Sequence, residues 1–581
     1  MNIYIDDINM LGAVKPIVNN ERKQKIAYVV FVSVMMLVTI IMVAVRGGCY
    51  IQNDDIIMRN IVSGLYTGKP DAHAVFIMYP LSFLLKNLYV YIPSVPWYGV
   101  VMVGCNYISL AIIIFRVGKL FERTIEKCIA TFFSLLVILI LDYNFLVANE
   151  FTVTSGILAA AAIFMISTSE NDKLSEDIIS IVLMTFSMWY RFGMFEMATP
   201  FMLLAMGLKL YRAYNSKKLK AVAKRVGMVI IAITVLAIGS KVVHNQAYAT
   251  KEWKDYLVLN SVRAAVFDYD ALQPYDEYLA SVDGEAITLE DYCGLQEYKY
   301  VFLEHLSVDD ISAVSEANLS TKKQWKKFYN APRKLLLDTV EALLRSYGTF
   351  GGLFTLVAFV IVYIIGMMLR KREVVFTAVF SYGGMMIITA YCVYKERLPE
   401  RVQTPLFIIT LLLLLSAVRG SFVENKKVSL LFVINCVVVG MLFSAFGLYR
   451  RRDAIQFKNE LRDNEIVWTN TSVAMGEDRN TIYLVDIDLM PKYTSAFREC
   501  EVCSANQIWI TSWLWGSPIW EEHKHILGID NIKTAFFEEN NVCMITYASS
   551  DITWLERLFP NQTFSNEDGV VSGTIVYRTN N

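Results

Sequence analysis

What most constrains this chain is a series of apolar runs, each close to the length of a bilayer crossing, repeated from near the N-terminus to about residue 448. About twenty apolar residues in a helix cross a hydrocarbon core of roughly 30 Å. Such runs occur at Ile26 to Val45, Trp97 to Phe115, Cys128 to Val147, Phe151 to Ile166, Ile178 to Tyr190 and Met194 to Leu208. They continue at Val226 to Val243, Phe354 to Leu369, Val374 to Tyr391, Thr404 to Val418 and Val428 to Leu448. The expected fold is therefore a polytopic α-helical membrane protein of about 11 transmembrane helices. The chain of 581 residues is 55% hydrophobic and 19% charged, more apolar than one soluble core needs. A formal net charge of −1 removes the basic excess that nucleic-acid binding requires. The first run follows Lys15, Arg22, Lys23 and Lys25, with no small-residue cleavage pattern after it, and reads as a retained span. Nine scattered cysteines, several inside apolar runs, imply no disulfide framework.

Lysine and arginine in the short connections set the orientation of such a chain. A cytoplasmic N-terminus puts Arg116, Lys119, Arg123 and Lys127 inside, then the basic stretch Lys209 to Arg225, then Arg370 to Arg372, then Arg419, Lys426 and Lys427. Arg450 to Arg452 fall on the outer side and oppose this parity. The stretch Ala74 to Tyr91 is apolar enough to be a span, but Pro80, Lys86 and Asn87 suit a helix lying in the interface. The expected parts are a cytoplasmic N-terminus (1–25), a transmembrane module (26–448) with outer loops 46–96 and 244–351, and an extracytoplasmic α/β domain (449–581). In the second outer loop, Lys322 to Arg345 has apolar residues on one helical face. In the last domain, strand-like runs appear at Thr481 to Asp486, Gln507 to Thr511, Val542 to Tyr547 and Gly573 to Arg578.

The strongest chemical signal is Asn53-Asp54-Asp55, directly after the first span and before an amphipathic helix with Ile57, Ile61 and Leu65. Adjacent carboxylates can hold a divalent cation through oxygen, or keep one carboxylate as a base toward a hydroxyl. They can equally cap the helix they precede. Asp142 and Glu150 form a second acidic group in the next outer hairpin, where they either serve a site or mark a wet membrane edge. Arg191 lies between two further spans, where it can pair with an acid or a phosphate, or snorkel to head groups. Lys395, Arg397 and Arg401 concentrate cations in an outer loop, to bind phosphate or to be neutralised by Glu396 and Glu400. No P-loop, HExxH or dinucleotide fingerprint occurs. Cys500 and Cys503, with His523 and His525 downstream, allow a disulfide or a zinc site. Trp509, Trp513, Trp515 and Trp520 either stack on sugars or form core.

The layout resembles the glycosyltransferase-C superfamily, polytopic enzymes that include oligosaccharyltransferases, protein O-mannosyltransferases and aminoarabinose transferases. Members place an acidic motif near the start of a large first outer loop, where this chain has Asp54 and Asp55, followed by the Gly68 to His73 turn and the interfacial stretch. The resemblance implies sugar transfer from a polyprenyl-phosphate donor to a glycan, lipid or protein acceptor at the outer face of the cell membrane. Asp54 and Asp55 are then catalytic, with Mg or Mn as a candidate cofactor on the same pair. Glu150 and Asp142 become the second acidic motif, His73 part of a substrate loop, and Lys395, Arg397, Arg401 and Arg191 the partners of the lipid-carrier phosphate. A transporter or flippase of a lipid-linked substrate and a noncatalytic surface-assembly protein are the rival classes. A transporter calls for charges at mid-span and broken helices, whereas the charges here sit at span ends.

Overall fold

The computed structural model describes residues 3–44, 48–50, 53–169, 173–267, 272–282, 286–321, 332–345, 351–395, 398–419, 468–486, 489, 494–497 and 506–579. The first span lies within α1 (Ile3–Ala44), which leads to a two-residue strand β1 (Cys49–Tyr50), then α2 (Asn53–Ser63) and α3 (Tyr79–Tyr91). Next come α4 (Trp97–Gly118), α5 (Thr124–Val147), β2 (Ala148–Asn149), α6 (Phe151–Thr168), α7 (Leu174–Tyr190), α8 (Phe192–Asn215) and α9 (Leu219–Ala247). An outer segment holds α10 (Lys251–Phe267), α11 (Tyr275–Ser281), α12 (Leu289–Gln296), α13 (Val308–Thr321) and α14 (Pro332–Arg345). Then α15 (Gly351–Met368), α16 (Arg372–Tyr394) and α17 (Glu400–Ala417) return to the bundle.

Eight of the described helices are long and apolar enough to cross a membrane: those of α1, α4, α5, α6, α9, α15, α16 and α17. The expected spans at Ile178 to Tyr190 and Met194 to Leu208 correspond to α7 and α8, which pack in the same bundle. The eleventh, at Val428 to Leu448, and the opposing Arg450 to Arg452 lie outside the described residues. The interfacial stretch becomes α3, whose 13 residues reach about 20 Å and fall short of a crossing. Leu81, Leu85 and Tyr89 of α3 are buried while Phe83, Leu84 and Val90 are exposed, the two-faced pattern of a helix lying along a surface.

The hub of the bundle is α6, buried along its whole length and packed against α4, α7, α8 and α17. It is apolar on all sides, and its run Ala159 to Ala162 lets neighbouring backbones close in. Gly156 lets α17 come close, for a Cβ there would lie 2.3 Å from Cβ of Pro405.

Four of these helices run in the same direction. The C-terminal ends of α4, α6, α8 and α17 meet where Arg116 donates to Thr168 and to Glu176 at 2.8 Å, and Arg212 donates to the carbonyls of Ser167 at 2.6 Å and Ser416 at 2.7 Å. Arg212 also pairs with Glu373, Lys209 and Arg225 pair with Asp177, and Arg419 reaches the Thr168 carbonyl. Arginines at helix C-termini satisfy the last carbonyls and oppose the negative end of the dipole. The basic connections singled out in the sequence therefore collect, where described, at one end of the bundle. Their N-terminal ends, with α2 and the small sheet, form the other.

Beyond the bundle, the C-terminal region supplies β3 (Ile482–Val485), β4 (Thr494–Ser495), β5 (Gln507–Trp509), α18 (Pro518–Leu527), α19 (Ile532–Glu538), β6 (Val542–Tyr547), α20 (Thr553–Leu558), β7 (Phe564–Asp568) and β8 (Thr574–Thr579). They make a five-stranded sheet in the order β5-β3-β6-β8-β7, with β5, β3 and β6 parallel and the last two strands antiparallel. Four strands fall at the strand-like runs of the sequence; β7, three of whose five residues are polar and exposed, carries no such signal. The outer segment docks on this domain through the ion pairs Lys299 to Asp486 at 2.8 Å and Lys524 to Glu304 at 2.6 Å. Trp509, Trp513, Trp515 and Trp520 are all buried and serve as core. Cys500 and Cys503 lie outside the described residues; His523 is buried against Tyr66, whereas His525 is exposed.

Candidate functional site

Strand β1 pairs in parallel with β2, Cys49 opposite Ala148 and Tyr50 opposite Asn149. Each strand leads to a helix with an acid at its start, and the pairing brings Asp55 of α2 beside Glu150, the N-cap of α6. Asn106 of α4 ties the arrangement down, donating to Asn149 and to Thr154, both at 3.1 Å.

Asp55 is fully buried, and its Oδ1 accepts a hydrogen bond of 2.7 Å from the Tyr98 hydroxyl at the start of α4. Its Oδ2 has no hydrogen-bond partner among the described residues. Burial raises the Asp55 pKa well above the usual carboxylate range, and the neighbouring charges of Glu150 and Asp54 add to this; Tyr98 and the Phe151 amide pull the other way. Glu150 is equally buried. Its Oε2 accepts from the Val153 amide at 2.8 Å, and its Oε1 faces Arg401 at 3.8 Å. Burial raises the Glu150 pKa, against the opposing charges of Arg401 and Arg191. Arg191 stands at the N-cap position of α8, stacks over Phe76 and Phe151 at 5.8 and 5.3 Å, and donates to the Phe76 carbonyl.

Four candidates from separate parts of the sequence, Asp55, Glu150, Arg191 and Arg401, thus meet in one place. Asp54 diverges from Asp55, because adjacent helical residues project about 100° apart; it is half-buried, with its charge felt at Tyr256 of α10. Asp142 is buried on α5 with Oδ1 unpartnered among the described residues. Lys395 is exposed at the end of α16, over the Tyr394 ring. Arg397 lies outside the described residues. His73 sits in a box of its own, stacked on Trp253 at 4.7 Å and bonded through Nδ1 to Asp71 at 2.6 Å. Against a burial penalty, His73 holds the Asp71 carboxyl below its usual range.

Sequence reasoning missed Tyr98, Tyr50 and Arg59. A tyrosine at the head of a span reads as an interface anchor, and only the β1–β2 pairing turns Tyr98 toward a carboxylate. Arg59, one turn beyond Asp55, is buried with its guanidinium on Asn60 and 5.9 Å from the Tyr50 ring.

The N-terminal ends of α4, α6, α8 and α17 converge at this site, so their positive dipole ends favour an anion there. Some 10 Å along α17 from Arg401 begins an apolar cavity of about 310 Å³, lined by α5, α15 and α17 from Leu141, Phe354 and Ile408 to Leu369 and Val418. Among the described residues no group of three or more His, Cys, Asp or Glu side chains is placed to hold a metal.

No family model matches the chain, and no curated protein does. The chain is similar to the crystal structure of ArnT from Cupriavidus metallidurans bound to undecaprenyl phosphate, with a TM-score of 0.37 and 9% identity, over 95% of this chain and 98% of that one. It is likewise similar to ArnT from the same organism in the apo state, with a TM-score of 0.39 and 8% identity, over 94% and 97% of the two chains.

Proposed function

We propose that this membrane protein is a glycosyltransferase that moves a sugar from a polyprenyl-phosphate donor to an acceptor at the extracytoplasmic face, in the assembly or modification of a surface glycan. The observation that carries the reading is the meeting of a buried carboxylate, one of whose oxygens is unpartnered among the described residues, with two arginines and four helix N-termini above an apolar groove. The basic end of the bundle is then cytoplasmic, and the site and C-terminal domain lie outside.

In the reaction the acceptor hydroxyl oxygen attacks the anomeric carbon while the bond from that carbon to the phosphate oxygen breaks, its electron pair leaving with the phosphate. Asp55 Oδ2 takes the hydroxyl proton. A raised pKa makes Asp55 a better base than an ordinary carboxylate, provided it is ionised at the working pH. Arg401 and Arg191 meet the charge that builds on the leaving phosphate, helped by the helix dipoles. Glu150 holds Arg401 toward that position. The prenyl chain lies in the groove between α5, α15 and α17. If Mg or Mn takes part, Asp55 and Glu150 are the carboxylates that would hold it, with Asp55 then serving as a ligand in place of its role as base. Bound there, the ion would help to neutralise the leaving phosphate.

The test is transfer of labelled sugar from a panel of polyprenyl-phosphate sugars by the purified protein. Asp55→Asn is expected to lower turnover by about 10²- to 10⁴-fold, and Asp54→Asn, farther from the reacting atoms, by much less. Full activity of Asp55→Asn sinks the reading. Ala358→Trp, which fills the groove, raises KM for the lipid donor with kcat little changed if the prenyl chain lies there. Chelation followed by Mg or Mn add-back decides the cation.

A further inference from the structure

Strand β1 is the middle of a three-stranded sheet. On one side lies β2; on the other lies β4, which comes from the C-terminal domain and pairs antiparallel, Cys49 opposite Ser495 and Tyr50 opposite Thr494. The contact continues past the strand: the Ala496 amide donates to the Gly48 carbonyl at 2.9 Å, and the Tyr50 hydroxyl donates to the Ala496 carbonyl at 3.4 Å. Gly99 at the start of α4 lets this strap settle, since a Cβ there would lie 1.8 Å from the Ala496 carbonyl oxygen. Gly48 likewise leaves room for Phe497, whose ring comes within 2.9 Å of where a Cβ would stand. Below the strap, the Tyr50 ring meets the Tyr98 ring edge-on at 5.6 Å, and Tyr98 donates to Asp55. An unbroken line of contacts therefore runs from Ala496 through Tyr50 and Tyr98 to the buried carboxylate.

We infer that Thr494 to Phe497 of the C-terminal domain is a positioning strap, whose docking on β1 fixes Tyr50 and Tyr98 and so sets the hydrogen bond that orients Asp55. Without β4, β1 loses its pairing with Thr494 and Ser495, and Tyr50 loses its hydrogen bond to the Ala496 carbonyl. The C-terminal domain thereby acts on the site without touching the reacting atoms. The inference rests on the transferase reading only where activity is the readout.

The experiment uses the full-length protein in membranes. Cys49 faces position 495 across the pair, so Ser495→Cys under mild oxidation should form a disulfide, read by mass spectrometry and absent when Cys49 is also changed to Ser. Locked in this way, the protein should keep sugar transfer within about twofold of wild type. Two variants release the strap by different means: Ala496→Pro removes the donated amide, and Gly99→Ala collides with the carbonyl. Both should lower transfer at least about tenfold while eluting as a folded species. The readout independent of transfer is the pH midpoint for labelling of protonated Asp55 by a hydrophobic carbodiimide, with Glu150 and Asp54 as the facing acids. Tyr98→Phe should raise that midpoint in the wild type, and by less than half as much in the Ala496→Pro background. Absence of the disulfide, loss of transfer on locking, or an additive midpoint cycle each overturns the inference. If the wild type transfers no sugar, the transferase reading falls, and the disulfide and the midpoint cycle still decide the strap.

Discussion

Asp55 couples function to a penalty in stability, and the two can be separated by measurement. A carboxyl whose folded pKa is raised binds more protons folded than unfolded between the two values, so its contribution to stability falls as pH rises through that window. The same group must be ionised to act as a base, so transfer rises over the pH range where stability falls. Asp55→Asn keeps an acceptor for Tyr98 and removes the buried charge. The expected outcome is a melting temperature equal to or above wild type near neutral pH, with transfer lost; a large drop in melting temperature would mean the charge is structurally required. Glu150 raises the Asp55 pKa through its charge. Glu150→Gln therefore moves the acidic limb of the pH–rate profile to lower pH, even as the lost hold on Arg401 lowers the maximum rate. An unmoved limb would show that the limb does not report Asp55.

The helices of this protein were legible in its sequence because a bilayer demands long apolar runs, and ten of the eleven expected spans fall in described helices. The site was legible only as separate acids and cations. What joins them is a pair of two-residue strands, too short for any alternation to reveal, and a register set by contacts across about a hundred residues. Of Asp142 and Glu150, only Glu150 caps the helix that the site is built on. That helix, α6, also sets the distance to Arg401 through its contact with α17. Gly156→Val should force Pro405 away, lowering stability by about 1–3 kcal/mol and loosening the Arg401–Glu150 approach. Thermal unfolding in detergent checks the first effect. A rise in KM for the lipid donor, out of proportion to the lost stability, checks the second.

At the scale of the whole molecule, the question is how a sheet outside the bundle stays registered with a carboxylate at its edge. The outer segment bridges the two: α10 reaches the first outer loop, where Trp253 stacks on His73, while its Tyr256 bonds to the Trp513 carbonyl, and Lys299 buries its charge against Asp486 at the C-terminal end of β3. Lys299 also lies over the Trp554 ring at 4.2 Å, which fixes its stem among apolar groups. Both partners are almost wholly buried, so removing one leaves an uncompensated charge, a loss of about 3–5 kcal/mol, whereas replacing both with apolar residues of similar size is near neutral. Asp486→Ala should therefore open the C-terminal domain to limited proteolysis and, by drawing β4 off β1, lower transfer as well. Lys299→Met with Asp486→Leu should restore protease resistance and transfer together. Restored resistance without restored transfer would mean that the ion pair itself, and not the docking it secures, reaches the site.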